Sequence, residues 1–133
     1  MNNKDIKKYG MKIKLPKEIE GRLYFSVHKN DILVAHAKVT VEKQEASIAD
    51  IYVYNYRKKK ISLYNCIFKF YLFKNYRNKG IGTFLLEKII IFCKNNGITR
   101  LTGKMAGDIK ILRPWYESHG FRVNVDNSLE MLL

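Results

Sequence analysis

The chain has 133 residues, a length that suits one compact domain with its own core. Its 25 Lys and Arg against 12 Asp and Glu give a net charge of +13, which attracts polyanions but does not identify one. No CxxC pair is present, so a zinc site of the usual spacing is excluded, and we expect no metal site. The polar N-terminus and the lack of a long apolar stretch predict a cytoplasmic protein without a membrane span.

Alternation of apolar and polar residues predicts a series of strands in the first half of the chain. The predicted strands cover 11–15, 23–27, 33–41 and 46–54, with turns at 29–31 and 42–45. A further strand is predicted over 61–73, where both faces are apolar, as in a central strand covered on both sides. The charged run 57–60 before it is predicted to be a solvated loop.

The hydrophobic period then changes to that of a helix, with Ile81, Leu85, Ile89 and Phe92 on one stripe and Gly97 as the predicted C-cap. The remaining predicted elements are a strand over 98–105, a helix over 108–119 interrupted at Pro114, and a hairpin of 121–125 with 129–133. This order predicts an α/β fold of one domain, 1–133. Its sheet is mixed and mostly antiparallel, with one parallel strand pair and helices on its faces.

The segment most informative about chemistry lies between the apolar run and the first predicted helix. It reads Arg77-Asn78-Lys79-Gly80-Ile81-Gly82-Thr83. A helix start carries unpaired N–H groups and the positive end of the dipole, and glycines let the backbone approach an anion. Arg77 and Lys79 add positive charge, and the Thr83 hydroxyl can donate a hydrogen bond. The segment therefore predicts a pyrophosphate cradle, although it matches neither the dinucleotide fingerprint nor the P-loop.

Two motifs resemble a known family. Arg77-x-x-Gly80-x-Gly82 resembles the Arg/Gln-x-x-Gly-x-Gly/Ala motif of the GNAT superfamily of acetyl-CoA-dependent N-acetyltransferases. Further on, Trp115-Tyr116-Glu117-Ser118-His119-Gly120-Phe121 resembles the aromatic-Tyr-Glu-x-x-Gly-Phe segment of that family. The resemblance covers the C-terminal half well and the N-terminal half only as a pattern of strands.

The resemblance implies a site for acetyl-CoA between the strand ending at Phe73 and the strand over 98–105. Backbone amides of Asn78, Lys79, Gly80, Ile81, Gly82 and Thr83 would hold the pyrophosphate. Main-chain groups near Leu72 and Phe73 would pair with the pantetheine arm. Tyr116 would lie near the thioester sulfur and protonate the leaving thiolate. Trp115, His119, Gly120 and Phe121 are predicted to be structural.

The sequence also departs from the family. Phe68 and Lys69 stand where members often carry an acid, which leaves Glu42, Asp50 and His36 as open candidates for the general base. Only a few residues separate Leu15 from Arg22, where members usually have two helices. We therefore expect those helices to be reduced or absent, and either a homodimer that completes the acceptor site or a macromolecular or acidic acceptor.

Two alternatives to a plain amine acetyltransferase remain. The net charge and the basic run at 57–60 also fit a nucleic-acid-binding module on this fold without catalysis. An acetyltransferase that acts on an RNA-linked amine lies between the two. The run 56–61 is a faint copy of the phosphate-binding motif, but it lacks both glycines, and we predict a basic hairpin loop there.

Overall fold

The computed structural model describes residues 10–54 and 80–133. Within these ranges it contains seven strands and two helices. They are β1 (Met11–Lys14), β2 (Gly21–Lys29), β3 (Ile32–Glu42), β4 (Glu45–Val53), α1 (Ile81–Asn95), β5 (Arg100–Lys104), α2 (Ile109–Ser118), β6 (Arg122–Val123) and β7 (Ser128–Leu132). Every strand and helix predicted inside the described ranges is present. The predicted strand over 61–73 and loop over 57–60 lie outside the described residues.

The described strands form one sheet in the order β1-β2-β3-β4-β5-β7-β6. All neighbours are antiparallel except β4 and β5, which are parallel, so the predicted fold class is confirmed. A parallel pair needs a long crossover connection, and α1 lies in the chain segment that joins β4 to β5. Neither described helix is both long enough and apolar enough to traverse a bilayer.

One face of the sheet packs against α1. Alternate residues of β2 and β3 are buried on this face, and the ring of Phe25 meets the ring of Phe92 edge-on at 5.2 Å between centroids. The apolar stripe predicted for α1, from Ile81 through Leu85 to Ile89, is fully buried. Between β1 and β2 the chain has only residues 15–20 and no helix, so the predicted loss of the two N-terminal helices is confirmed there.

A β-bulge in β4 determines where the sheet opens. In the register between β3 and β4, Lys38 pairs with Asp50 and Val39 pairs with Ile48, so Ala49 is the extra residue. The parallel pairing of β4 with β5 ends at the same point, with Ile48 opposite Gly103. A bulge bends its strand and increases the local twist, and β4 diverges from β5 beyond it.

The parallel partner of β5 differs from the predicted one. The predicted neighbour of the strand over 98–105 is the run ending at Phe73, whereas both edges of β5 are occupied by β4 and β7 over Arg100–Lys104. The apolar character of 61–73 predicts burial, but it carries no information about which strand lies next to it. The cleft beside β5 is therefore formed with β4.

Candidate active site

A cleft of about 740 Å³ opens where β4 and β5 stop pairing. Its walls come from β4 beyond the bulge, from residues 104–108 after the pairing of β5 ends, from the first turn of α1, and from α2. This volume is within the range of sites for organic ligands, roughly 300–1,000 Å³. The cleft therefore brings both motifs of the sequence to one place.

The first turn of α1 presents to the cleft backbone N–H groups that have no partner within the helix. Its first helical hydrogen bond runs from the Phe84 N–H to the Gly80 carbonyl at 3.0 Å, so the N–H groups of the three residues between them have no partner within the helix. Gly80 has a φ of 76°, a left-handed conformation that disfavours any side chain by about 1–2 kcal/mol. The first turn that follows has no side-chain cap and no acidic residue. An anion is the natural partner of such a turn.

The structure describes four of the predicted cradle residues. Gly80, Gly82 and Thr83 line the cleft, whereas the side chain of Ile81 is buried in the core and leaves only its backbone for binding. The other predicted cofactor-binding residues lie outside the described residues and stay predictions. These are Leu72, Phe73, Arg77, Asn78 and Lys79.

Trp115 connects α2 to the first turn of α1, a contact that was not predicted from the sequence. Its indole Nε1 donates a hydrogen bond of 2.9 Å to the Thr83 Oγ1. Because the hydroxyl oxygen accepts this bond, the hydroxyl proton of Thr83 is left to be donated elsewhere. The two residues are far apart in sequence and meet only through helix packing. Trp115 therefore orients Thr83 in addition to its predicted packing role.

Tyr116 lines the cleft from α2 and is only 7% exposed. The helix end fixes its position: the N–H of Phe121 donates to the Tyr116 carbonyl at 3.1 Å, and Gly120 takes a φ of 93°. The rings of Tyr116 and Phe121 also meet edge-on at 5.5 Å. Gly120 and Phe121 thus form the cap and the core contact that the sequence predicts.

Pro114 lies inside α2 and does not mark its start. The helix begins after Asp108, whose side chain accepts a hydrogen bond of 3.1 Å from the Lys110 N–H. The helix continues through Pro114 without the interruption that the sequence predicts. His119 is the C-cap residue of α2, in agreement with its predicted structural role.

The Tyr116 phenol is held in its protonated form. Burial raises its pKa above the ordinary value of 10.0, and the negative charge of Asp50 raises it further. At neutral pH the side chain is therefore a proton donor inside the cleft.

Asp50, one of the three predicted candidates for the general base, lies in the cleft. It follows the bulge and lines the cleft, and its Oδ2 lies 3.2 Å from the Nε2 of His36. The Nδ1 of the same imidazole lies 3.1 Å from the Tyr54 hydroxyl. When Nδ1 accepts from Tyr54, the Nε2 proton is donated to Asp50, which fixes the carboxylate against the sheet.

The structure separates the three candidates for the general base. Asp50 lines the cleft with its side chain 47% exposed, and His36 lies behind it at 13%. Glu42 is paired with Glu45 at the turn between β3 and β4 and does not line the cleft. Within the described residues no group of three His, Cys, Asp or Glu could hold a metal ion. The described lining has two carboxylates and two phenols, those of Asp50, Asp108, Tyr52 and Tyr116. The Asp108 carboxylate caps α2 by accepting from the Lys110 N–H.

A family model described as the acetyltransferase (GNAT) domain matches residues 20–123 of the chain. A comparison with proteins of curated function finds no match. The matched range includes β2 to β6 and both helices, and it therefore contains every wall of the described cleft.

Solved structures with this fold include three acetyltransferases. A GNAT family acetyltransferase from Elizabethkingia anophelis with acetyl-CoA bound has a TM-score of 0.68 at 15% identity, covering 93% of this chain and 99% of that one. PaiA N-acetyltransferase from Thermoplasma acidophilum, in complex with coenzyme A, has a TM-score of 0.63 at 15% identity, covering 85% of this chain. The matched part spans only 62% of that enzyme.

The third is the ribosomal-protein-S18-alanine N-acetyltransferase from Escherichia coli, with a TM-score of 0.61 at 22% identity. The match covers 87% of this chain and 70% of that enzyme. At such identities the likeness shows the fold, and the chemistry has to be argued from the cleft.

Proposed function

We propose that this chain, which belongs to the GNAT acetyltransferase domain family, transfers the acetyl group of acetyl-CoA to a primary amine by direct attack. The observation that carries the proposal is the meeting of three groups in one cleft. They are the open first turn of α1, the buried phenol of Tyr116 and the carboxylate of Asp50. The two solved relatives with coenzyme A or acetyl-CoA bound support the choice of co-substrate.

The cofactor is assigned to the gap between β4 and β5. The pyrophosphate would accept hydrogen bonds from the backbone N–H groups of Gly82 and Thr83 and from the Thr83 hydroxyl. The pantetheine arm would then run along β4 beyond its bulge, since β4 is the strand that borders β5. This places the arm beside Asp50 and Ile51. The pairing predicted for Leu72 and Phe73 lies outside the described residues.

The proposed reaction needs no covalent enzyme intermediate. The neutral amine nitrogen attacks the thioester carbonyl carbon, and the tetrahedral intermediate collapses with cleavage of the C–S bond. The proton that Asp50 takes, directly or through a water molecule, is the one that the ammonium form of the amine loses before attack. Tyr116 protonates the leaving thiolate, and its phenolate accepts the proton that the nitrogen loses as the amide forms. The products are the N-acetylated amine and free coenzyme A. His36 keeps Asp50 in place during this transfer.

A pair of substitutions at Gly82 tests the cofactor assignment. A Cβ at this position would meet Trp115 Cζ2 and Val53 Cγ2 at 3.7 Å each, which is ordinary contact, so Gly82→Ala should keep the fold and bind acetyl-CoA. Gly82→Asp adds a negative charge beside the pyrophosphate, and we expect at least about tenfold weaker binding by calorimetry. Equal affinity in Gly82→Asp and Gly82→Ala would remove the pyrophosphate from this turn.

The assembly state stays a prediction from the sequence. Because residues 15–20 contain no helix, the acceptor side of the cleft is completed by a second subunit or stays open to a bulky acceptor. Light scattering should accordingly give either the mass of a dimer, or that of a monomer that acetylates macromolecular or acidic amines. A monomer that acetylates only polyamines would contradict this prediction. The net charge of +13 is the basis for the preference for acidic acceptors.

A further inference from the structure

A row of three stacked rings crosses the sheet on the face opposite α1, and the ring of Tyr54 packs edge-on against its Tyr52 end at 4.9 Å between centroids. Phe25 packs against α1, so its neighbour Tyr24 lies on the other face. There the rings of Tyr24 and His36 stack with centroids 5.6 Å apart and planes inclined by 23°. His36 and Tyr52 continue the row at 5.9 Å and 25°. The outer members are substantially exposed, Tyr24 at 46% and Tyr52 at 40%.

Only one end of this row reaches the cleft. Tyr52 lines the cleft together with Asp50, whereas Tyr24, at the other end, does not. Asp50 and Tyr52 are two residues apart on one strand, so their side chains project from the same face about 7 Å apart. A carboxylate and an aromatic ring are therefore neighbours on the wall of the cleft, and the carboxylate interacts with Tyr116.

The charges around Asp50 restrict what can bind next to it. Lys38 is the register partner of Asp50 on one side, and Lys104 lines the cleft on the side of β5. The other carboxylate in the described lining, Asp108, already accepts from the Lys110 N–H as the cap of α2. A second ammonium group next to Asp50 would approach one of the two lysines and be repelled. Tyr52 gives the acceptor a neutral neighbour. The surroundings of Asp50 therefore suit one ammonium group followed by an uncharged body.

We infer that Asp50 and Tyr52 form the acceptor subsite. The acceptor class is a primary amine joined by a short linker, of about two or three carbons for a span of roughly 7 Å, to a planar aromatic ring. The ammonium group pairs with Asp50 before it is deprotonated, and the ring packs against Tyr52. This inference rests on the proposed acetyl transfer and adds the substrate class. An aromatic contact of this kind changes affinity by about threefold to tenfold.

The test uses two amines with the same linker and the same number of carbons. The first, 2-phenylethylamine, carries a planar ring, and the second, 2-cyclohexylethylamine, carries a puckered one. With acetyl-CoA and the full chain, kcat/KM from thiol release should favour the phenyl compound by about threefold to tenfold. Tyr52→Leu should bring this ratio close to one. Tyr24→Leu, the same change at the other exposed end of the row, should leave it unchanged.

A binding measurement separates this inference from the proposed function. Calorimetry with the protein saturated in coenzyme A should show tighter binding of 2-phenylethylamine than of 2-cyclohexylethylamine, and Tyr52→Leu should abolish the difference. Ring-selective binding without thiol release supports the subsite and overturns acetyl transfer. Transfer to both amines at equal kcat/KM overturns the subsite and leaves acetyl transfer in place. An equal loss of selectivity in Tyr24→Leu and Tyr52→Leu also overturns the assignment to Tyr52.

Discussion

Replacing Tyr116 with Phe is expected to lower kcat by about 100-fold, since the leaving thiolate then departs without its proton donor. The affinity for acetyl-CoA should change little, because the phenol acts on the sulfur as the C–S bond breaks and the cradle is untouched. Phe keeps the ring that packs edge-on against Phe121, so the fold should be preserved. Calorimetry for binding and thiol release for turnover measure the two quantities separately.

The pH dependence gives a second check on Tyr116. Burial and the charge of Asp50 raise its pKa above 10.0, so the acid form is present at neutral pH and is lost only as the pH rises beyond the ordinary tyrosine range. The wild-type kcat should therefore hold up to that range and fall above it, and this fall should be absent in Tyr116→Phe. A variant with the kcat of the wild type would assign Tyr116 to packing.

Replacing Asp50 with Asn should lower kcat/KM for the amine by about 100-fold at neutral pH, because the amide cannot accept the amine proton. The deficit should narrow as the pH approaches the pKa of the amine, about 10 for an alkylamine, where the neutral nucleophile forms without help. The matched control is Glu42→Gln. It removes the same charge from a candidate that does not line the cleft, and it should leave the whole pH profile unchanged.

Two results with the carboxylate variants would exclude Asp50 as the general base. If Asp50→Asn shows the same deficit at every pH, then the residue binds or positions the amine without taking its proton. If Glu42→Gln lowers the rate as much as Asp50→Asn does, the effect comes from net charge rather than from a group in the cleft. Acetyl-CoA affinity should be close to that of the wild type in both variants.

Local signals in the sequence were sufficient for most of the described fold. Alternation over 33–41 predicts β3, and the stripe from Ile81 to Phe92 predicts the buried face of α1. Gly97 was predicted as a cap and takes a φ of 74°, with the Ile98 N–H donating to the Cys93 carbonyl at 3.0 Å. These features depend on backbone conformation and periodicity, which neighbouring residues determine.

The acceptor side of the site could not be predicted in the same way. Alternation over 46–54 predicts a strand, but the extra residue at Ala49 turns Asp50 and Tyr52 to the face of His36, and a bulge has no reliable local signal. The hydrogen bond between Trp115 and Thr83 likewise depends on how two helices pack. The strand that borders the cleft was also predicted from the family motif. Because Arg77 follows the apolar run over 61–73 in the chain, that run is the predicted neighbour of β5, whereas β4 pairs with β5.

Acetyl transfer is tested most directly by the release of coenzyme A thiol from acetyl-CoA with and without a primary amine, with mass spectrometry of the amine product. We expect thiol release that depends on the amine, one acetylated amine for each thiol, and loss of both in Gly82→Asp but not in Gly82→Ala. The contradicting result is acetyl-CoA that stays intact with every amine, while the purified protein carries nucleic acid that salt removes. That result would favour the nucleic-acid-binding alternative over acetyl transfer.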